Sequence, residues 1–118
     1  MKIFGDDGFR DKYGKGLMSE IFLNNFFCSL NIILKKKKIN SVIIGFDTRK
    51  SNEEIRRIII SNLFDVKKIH TFNKPVTTPY IHFLSKNNKS FCIMITASHF
   101  EWNYNGFKFF YKGEKISK

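Results

Sequence analysis

Residues 91–99 have the sequence Phe91-Cys92-Ile93-Met94-Ile95-Thr96-Ala97-Ser98-His99, and this stretch decides the fold class of the 118-residue chain. It begins with aromatic and β-branched residues, which favour strands, and ends at small and polar side chains. A continuous apolar run is typical of a central strand that is covered on both faces of a sheet. Because open α/β sheets bind ligands at the carboxyl ends of such strands, the sequence predicts that Ser98 lies at a reactive edge.

Two units of helix and strand come before this strand. Ser19 is placed to cap a helix over residues 19–36, in which leucine and phenylalanine recur at helical spacing. Residues 41–46 form a second continuous apolar run and are predicted to be another buried strand. A helix through Leu63 follows, and Ser51 and Glu54 have the spacing of a capping box at its start.

The rest of the chain completes an α/β pattern. Residues 66–72 are predicted to form a strand near a sheet edge, because two lysines lie within it. Thr78 is placed to cap a short helix with Pro79 in its first turn, and residues 106–114 are predicted to form a strand and the turn of a hairpin. The order of elements predicts an α/β fold, a three-layer α/β/α sandwich with a mainly parallel mixed sheet.

The chain carries 21 basic and 10 acidic residues, which gives a formal net charge of +11. Such a charge raises nucleic acid as a partner, through contacts with its phosphates. The basic residues are mostly lysines, however, in a chain rich in other residues with AT-rich codons, and no nucleic-acid recognition motif accompanies them. Nucleic-acid binding is therefore a minority interpretation, and the length fits a single domain.

Cys28 and Cys92 are the two cysteines, and each lies in an apolar stretch. They lack C-x-x-C spacing, so they are predicted to be free buried thiols rather than zinc ligands or a disulfide, as suits a reducing cytoplasm. The sequence shows no signal peptide and no apolar run of membrane-spanning length. A membrane partner is therefore not expected.

Three segments, in order along the chain, resemble the signatures of the α-D-phosphohexomutases, which move a phosphate between the C6 and C1 oxygens of a hexose. Residues 4–10, FGDDGFR, resemble the opening F-G-T-D-G-x-R of that family, and residues 43–51, IIGFDTRKS, resemble its I-G-x-D-T-R-x-S turn. Residues 96–99, TASH, and 104–108, YNGFK, resemble its T-A-S-H-N-P-x-x-Y-N-G-x-K signature. The pair Phe109-Phe110 and the early start resemble the bacterial phosphoglucosamine mutases most, with phosphoglucomutases and phosphomannomutases as the alternative.

The resemblance implies that residues 1–118 form the first, phosphoserine-bearing domain of such an enzyme, similar to phosphohexomutase domain I. It implies that Ser98 is the phosphorylated residue, that Lys108 assists proton transfer, and that His99 positions the adjoining loop. It also implies Mg²⁺ bound through the phosphate on Ser98, a hexose 1,6-bisphosphate as intermediate and activator, and a hexose phosphate as substrate. The later domains of the family have no counterpart in these residues, so we expect them as partners in the same or a separate chain.

Cations are needed to neutralise a phosphoryl group as it moves, and Arg10, Arg49 and Lys108 are the candidates. By resemblance, Arg10 lies near the phosphoserine. Arg49 is ambiguous, because Asp47-Thr48-Arg49 before a helix is equally well explained as a structural turn.

The chain also departs from the family signatures. Phe100-Glu101 replaces the usual Asn-Pro and adds a negative charge near the expected phosphate, while Asp6 stands where Thr is usual. Asp11 and Asn52 stand where Gly is common. These departures leave open an alternative, a degenerate, non-catalytic fragment that binds a partner or an anionic ligand through its lysines.

Overall fold

A computed structural model describes residues 9–14, 16–97 and 103–116. Helices and strands alternate over residues 20–95 as the sequence predicts, whereas the first strand was not predicted. Helices α1, α2 and α3 span Glu20–Lys36, Asn52–Asn62 and Thr78–Asn87. A 3-10 turn at Gly16–Met18 precedes α1. The strands are β1 (Phe9–Lys12), β2 (Ser41–Phe46), β3 (Lys68–Thr71), β4 (Phe91–Ile95), β5 (Tyr104–Tyr111) and β6 (Glu114–Ile116).

The six strands of the described ranges form one mixed sheet in the order β1-β5-β4-β2-β3, and β6 also pairs with β5. The α/β fold is confirmed, and so is the position of β3 at a sheet edge. The sequence predicts a mainly parallel sheet, but fewer of the described strand pairs are parallel than antiparallel. Among these strands, β2 is parallel to both of its neighbours, whereas β5 runs antiparallel to β4, β1 and β6. The cause is the long strand β5, which reverses the chain direction after β4 and then pairs along both of its edges.

Three layers follow from the alternation of side chains along the strands. On one face, Val42 and Ile44 of β2 belong to a core shared with α1 and α2. On the other face, Ile43 packs with Cys92 and with Ile81 of α3. The predicted α/β/α sandwich is therefore confirmed, with α1 and α2 on one side of the sheet and α3 on the other.

The helix starts agree with the sequence in part. Ser19 caps α1, accepting a hydrogen bond from the backbone N–H of Phe22 at 3.2 Å, as predicted. The expected cap at Thr78 is wrong by one residue, because Thr77 Oγ1 accepts from the N–H of Tyr80 at 3.3 Å. Pro79 lies in the first turn of α3, as predicted.

The predicted capping box at Ser51 and Glu54 does not form. Ser51 has a helical backbone and its side chain makes no cap hydrogen bond to α2. Its hydroxyl accepts a hydrogen bond from Asn105 instead. A contact between residues far apart in the chain has therefore replaced the local one.

Both cysteines are free, but only Cys92 is buried. The expectation of a buried thiol is wrong for Cys28, which lies on the exposed side of the amphipathic helix α1. Burial raises the pKa of the Cys92 thiol to about 12.

None of the helices in the described ranges has the length and apolar character that crossing a membrane requires.

Candidate active site

Three strand ends meet at one edge of the sheet. Asp47 directly follows β2, Thr96 directly follows β4, and Tyr104 begins β5. The backbone N–H of Asp47 donates to the carbonyl of Ile95 at 3.2 Å, and that of Thr96 donates to the carbonyl of Gly106 at 2.9 Å. This is the carboxyl edge of the parallel strands, where the sequence predicted the functional residues.

The carboxylate of Asp47 is the centre of a hydrogen-bond network at this edge. Its Oδ2 accepts from the hydroxyl of Thr96 at 2.7 Å and from Nε of Arg49 at 3.2 Å. Its Oδ1 accepts from the backbone N–H of Arg49 and from Nδ2 of Asn52, both at 3.1 Å. Both carboxylate oxygens are therefore occupied by donors of this chain.

The network continues to β5 through a buried amide pair. Asn105 is fully buried, and its Nδ2 lies 2.7 Å from Oδ1 of Asn52 and 2.7 Å from Oγ of Ser51. Its own Oδ1 accepts from the N–H of Gly106 at 3.0 Å. Asn52, one of the departures from the family signature, thus connects Asp47 to Asn105. The Asn at this position has a structural role of its own.

Arg49, one of the expected phosphate partners, is directed to acceptors within the protein. Besides its contact with Asp47, its Nη1 donates to the carbonyl of Tyr104 at 3.2 Å. Its side chain is 9% exposed. The sequence left open whether Arg49 binds phosphate or belongs to a structural turn. These contacts favour the structural interpretation.

Arg10 and Lys108 lie on the opposite face of the sheet from Asn105. Arg10 is paired with Gly106 across the β1–β5 ladder, and Lys108 is two residues further along β5. Directly opposite residues of an antiparallel pair share a face, and so do residues two apart, so both cations lie on the α3 face. Nη1 of Arg10 approaches the carbonyl of Ala97 at 3.5 Å.

Ser98 and His99, with Phe100 and Glu101 after them, lie outside the described residues. Ala97 is the last described residue before them, so the contact at its carbonyl brings Arg10 beside the chain that leads to Ser98. Within the described part of the chain, no group of three or more His, Cys, Asp or Glu side chains could hold a metal ion. These residues therefore supply no ligand set for the Mg²⁺ that the resemblance implies.

Sequence reasoning did not assign roles to Thr96, Asn105 and Tyr13. Thr96 and Asn105 lie within the family signature segments at residues 96–99 and 104–108, but the resemblance assigned no role to either of them. The N–H of Tyr13 donates to the carbonyl of Asn103 at 2.9 Å, so the chain after β1 contacts the residue that precedes β5. Burial, followed by the nearby carboxylates of Glu54 and Glu20, raises the pKa of Tyr13 to about 12.

Comparison with known proteins identifies relatives of this chain. Residues 1–118 match the sequence pattern of the phosphoglucomutase/phosphomannomutase alpha/beta/alpha domain I. The chain belongs to this family. It is 37% identical to a phosphoglucosamine mutase of Campylobacter jejuni, over 100% of this chain and 27% of that protein. It is 34% identical to the phosphoglucosamine mutase of a Nitratiruptor species, over 98% of this chain and 26% of that protein.

Solved structures of the family have the same fold. A putative phosphomannomutase from Thermus thermophilus superposes with a TM-score of 0.85 at 27% identity, covering 98% of this chain and 27% of that one. A phosphoglucomutase/phosphomannomutase family protein from Burkholderia thailandensis superposes with a TM-score of 0.80 at 22% identity, with the same coverage, and supports the fold alone. The chain spans about a quarter of the length of the relatives it matches.

Proposed function

We propose that the chain is the phosphoserine-bearing domain of a phosphohexomutase, which converts glucosamine 6-phosphate to glucosamine 1-phosphate and so supplies a cell-wall precursor. One observation carries the proposal. The described residues of the family segments, which are far apart in sequence, meet at one sheet edge, where Arg10 contacts Ala97 and Thr96 contacts Asp47. Arg10 thereby supplies a cation beside the chain that leads to Ser98, which supports phosphoryl transfer from that residue.

In the proposed reaction, the phosphoryl group leaves Oγ of Ser98 and bonds to the free hydroxyl oxygen of the hexose phosphate. The hydroxyl loses its proton with the assistance of Lys108, Oγ of Ser98 takes up a proton as its bond to phosphorus breaks, and a hexose 1,6-bisphosphate forms. The bisphosphate then turns over, and its other phosphoryl group returns to Ser98, which regenerates the phosphoserine. The net result is isomerisation, with no phosphate consumed.

Arg10 and Lys108 are the proposed cations for the moving phosphoryl group, because such transfers are catalysed mainly by positioning and by charge stabilisation. Both lie on the α3 face, and Arg10 is beside the chain that leads to Ser98. Arg49 is proposed to hold the strand ends instead of phosphate, and His99 to position the adjoining chain. A bound Mg²⁺ would contribute Lewis-acid stabilisation through the phosphoserine, but no step above depends on it.

Glucosamine phosphate is favoured as substrate because the relatives compared above at 34% and 37% identity are named phosphoglucosamine mutases. Phosphoglucomutase or phosphomannomutase activity is the alternative, since the T. thermophilus structure is named a putative phosphomannomutase. The proposed setting is the cytoplasm, and the proposed partners are the hexose phosphate and the remaining mutase domains. A non-catalytic domain is the second candidate, motivated by Phe100-Glu101.

The test is a chimera in which residues 1–118 replace the matched region of the C. jejuni phosphoglucosamine mutase. After incubation with glucosamine 1,6-bisphosphate, intact-mass measurement should show one added phosphate on the chimera. The phosphate should be absent from Ser98→Ala and retained in the control Ser61→Ala, whose hydroxyl donates to the carbonyl of Ile58 within α2. Phosphate that persists in Ser98→Ala would refute the assignment, and a chimera that never takes up phosphate would favour the non-catalytic domain.

A further inference from the structure

We infer that Asp47 is a positioning residue for the proposed reaction, because its carboxylate holds the ends of both strands that flank Ser98 in sequence. The inference rests on the proposed function. It assigns to Asp47 no contact with substrate or phosphate. Its effect is transmitted through Thr96 on one side and through Arg49 and Asn52 on the other.

The first strand end is fixed by a direct bond. Thr96 lies two residues before Ser98, and its hydroxyl donates to Oδ2 of Asp47 at 2.7 Å, the shortest contact described for the carboxylate. The backbone N–H of Thr96 is bonded to Gly106 on β5, and the carbonyl of Ala97 is contacted by Arg10. Asp47 therefore fixes the side chain of Thr96, while β5 and Arg10 fix the adjoining backbone.

The second strand end is held indirectly, by two connections that each consist of two hydrogen bonds. Arg49, held at Oδ2 of Asp47, donates to the carbonyl of Tyr104 at 3.2 Å. Asn52, held at Oδ1, accepts from the buried amide of Asn105 at 2.7 Å. Both connections end at the first two residues of β5. One carboxylate thus sets the relative position of the end of β4 and the start of β5.

Only a carboxylate fits this role. The side chain of Asp47 faces four donors, and an ionised carboxylate accepts at both oxygens without offering a donor of its own. An asparagine in its place would direct an NH₂ group at other N–H or O–H groups. At a side chain that is 25% exposed, such a mismatch is not relieved fully by water.

The test uses the same chimera and two variants that break the network at different atoms, Asp47→Asn and Thr96→Val. Thr71→Val is the matched control. The Thr71 hydroxyl also makes a hydrogen bond, which it donates to the carbonyl of Ile44 on β2 at 3.1 Å, but Thr71 lies on the edge strand β3. Thr96→Ser restores the hydroxyl and should rescue the activity.

We expect Asp47→Asn and Thr96→Val to lower kcat about 10- to 100-fold, the loss typical of a small misplacement of reacting groups, with KM nearly unchanged. Thr71→Val should lower the melting temperature but leave kcat unchanged, which separates a loss of stability from a loss of positioning. If Thr96→Val keeps its kcat, or if KM alone rises, the positioning role is refuted.

A second measurement separates this inference from the proposed function. In the 118-residue chain itself, hydrogen exchange at the amide of Thr96 should be faster in Asp47→Asn than in the parent and unchanged in Thr71→Val. Unchanged exchange at Thr96 in Asp47→Asn would overturn the inference even if the chimera is active. An inactive parent chimera with faster exchange would refute the proposed function and leave the positioning by Asp47 supported.

Discussion

Arg49 joins the end of β2 to the start of β5, because its Nη1 donates to the carbonyl of Tyr104 at 3.2 Å while its Nε contacts Asp47 at 3.2 Å. A guanidinium group has several donors in fixed directions, so one side chain makes both contacts. With 9% of its side chain exposed, this arginine is packed among the strand ends and is largely shielded from solvent. The basic residue of the Asp-Thr-Arg segment is thus a structural connection.

Replacing Arg49 should therefore lower the stability of the fold more than it lowers phosphate binding. We expect Arg49→Met to lower the free energy of unfolding by about 2–4 kcal/mol, because the largely buried Asp47 carboxylate would remain without its cation. Arg57→Met is the control, since Arg57 pairs with Glu53 at 4.0 Å on the surface of α2, with both side chains mostly exposed. That change should cost less than about 1 kcal/mol. Urea unfolding of the two variants checks the difference, and equal losses would contradict the structural role of Arg49.

The two cysteines should differ in reactivity. Cys28 is exposed, whereas burial raises the pKa of the Cys92 thiol to about 12, which leaves very little reactive thiolate at neutral pH. We expect iodoacetamide to modify one thiol of the folded chain rapidly and the second only in denaturant. Peptide mapping by mass spectrometry identifies the modified residue. Rapid modification of Cys92 in the folded chain would show that the α3 side of the core opens readily.

Central strands and the first helix were predictable from the sequence because their signals are local. Ser19 and the apolar spacing after it define α1, and two continuous apolar runs define β2 and β4. Asp47 and Thr96, which follow those runs, lie at the carboxyl edge, whereas Ser98, the residue that the sequence predicts there, lies outside the described residues. Each of these inferences depends on neighbouring residues and on the burial of the strand.

Features that depend on distant contacts were not predictable. Strand β1 contains Arg10, Asp11 and Lys12 and has no apolar run, and it is a strand because β5 offers it an edge for pairing. The hydroxyl of Ser51 has the right spacing for a local cap but is bound by Asn105, 54 residues away. The pairing partners of Asp47 could not be inferred for the same reason.

Alkaline pH should reveal the environment of Tyr13. Its pKa is raised from 10.0 to about 12 by burial and by Glu54 and Glu20, so the folded state keeps the phenol proton where the unfolded state loses it. The folded state then binds more protons, and stability falls as pH rises from 10 towards 12. The difference in unfolding free energy between the parent and Tyr13→Phe should be constant below pH 10 and should shift against the parent above it. A difference that does not change with pH would contradict the raised pKa.

Self-association of the chain is expected from an apolar groove of about 580 Å³ between α1 and the strands β4, β5 and β6. Its described lining includes Phe22, Phe26, Ile33 and Ile116, and one charged side chain, Lys37. A contiguous apolar surface of this kind favours association, and a net charge of +11 opposes it weakly, since charges are screened within about 8 Å at physiological salt.

Ile33 lines the groove with 47% of its surface exposed, so Ile33→Lys should convert the associated chain to a monomer in sedimentation velocity at moderate salt. Ile21→Lys is the matched control on the same helix, because Ile21 is 78% exposed but does not line the groove. It adds the same charge and removes a similar exposed side chain, so the Ile21→Lys chain should remain associated. Equal effects of the two variants would assign the association to net charge, and a parent that is monomeric over a wide concentration range would show that the groove does not bind a second copy.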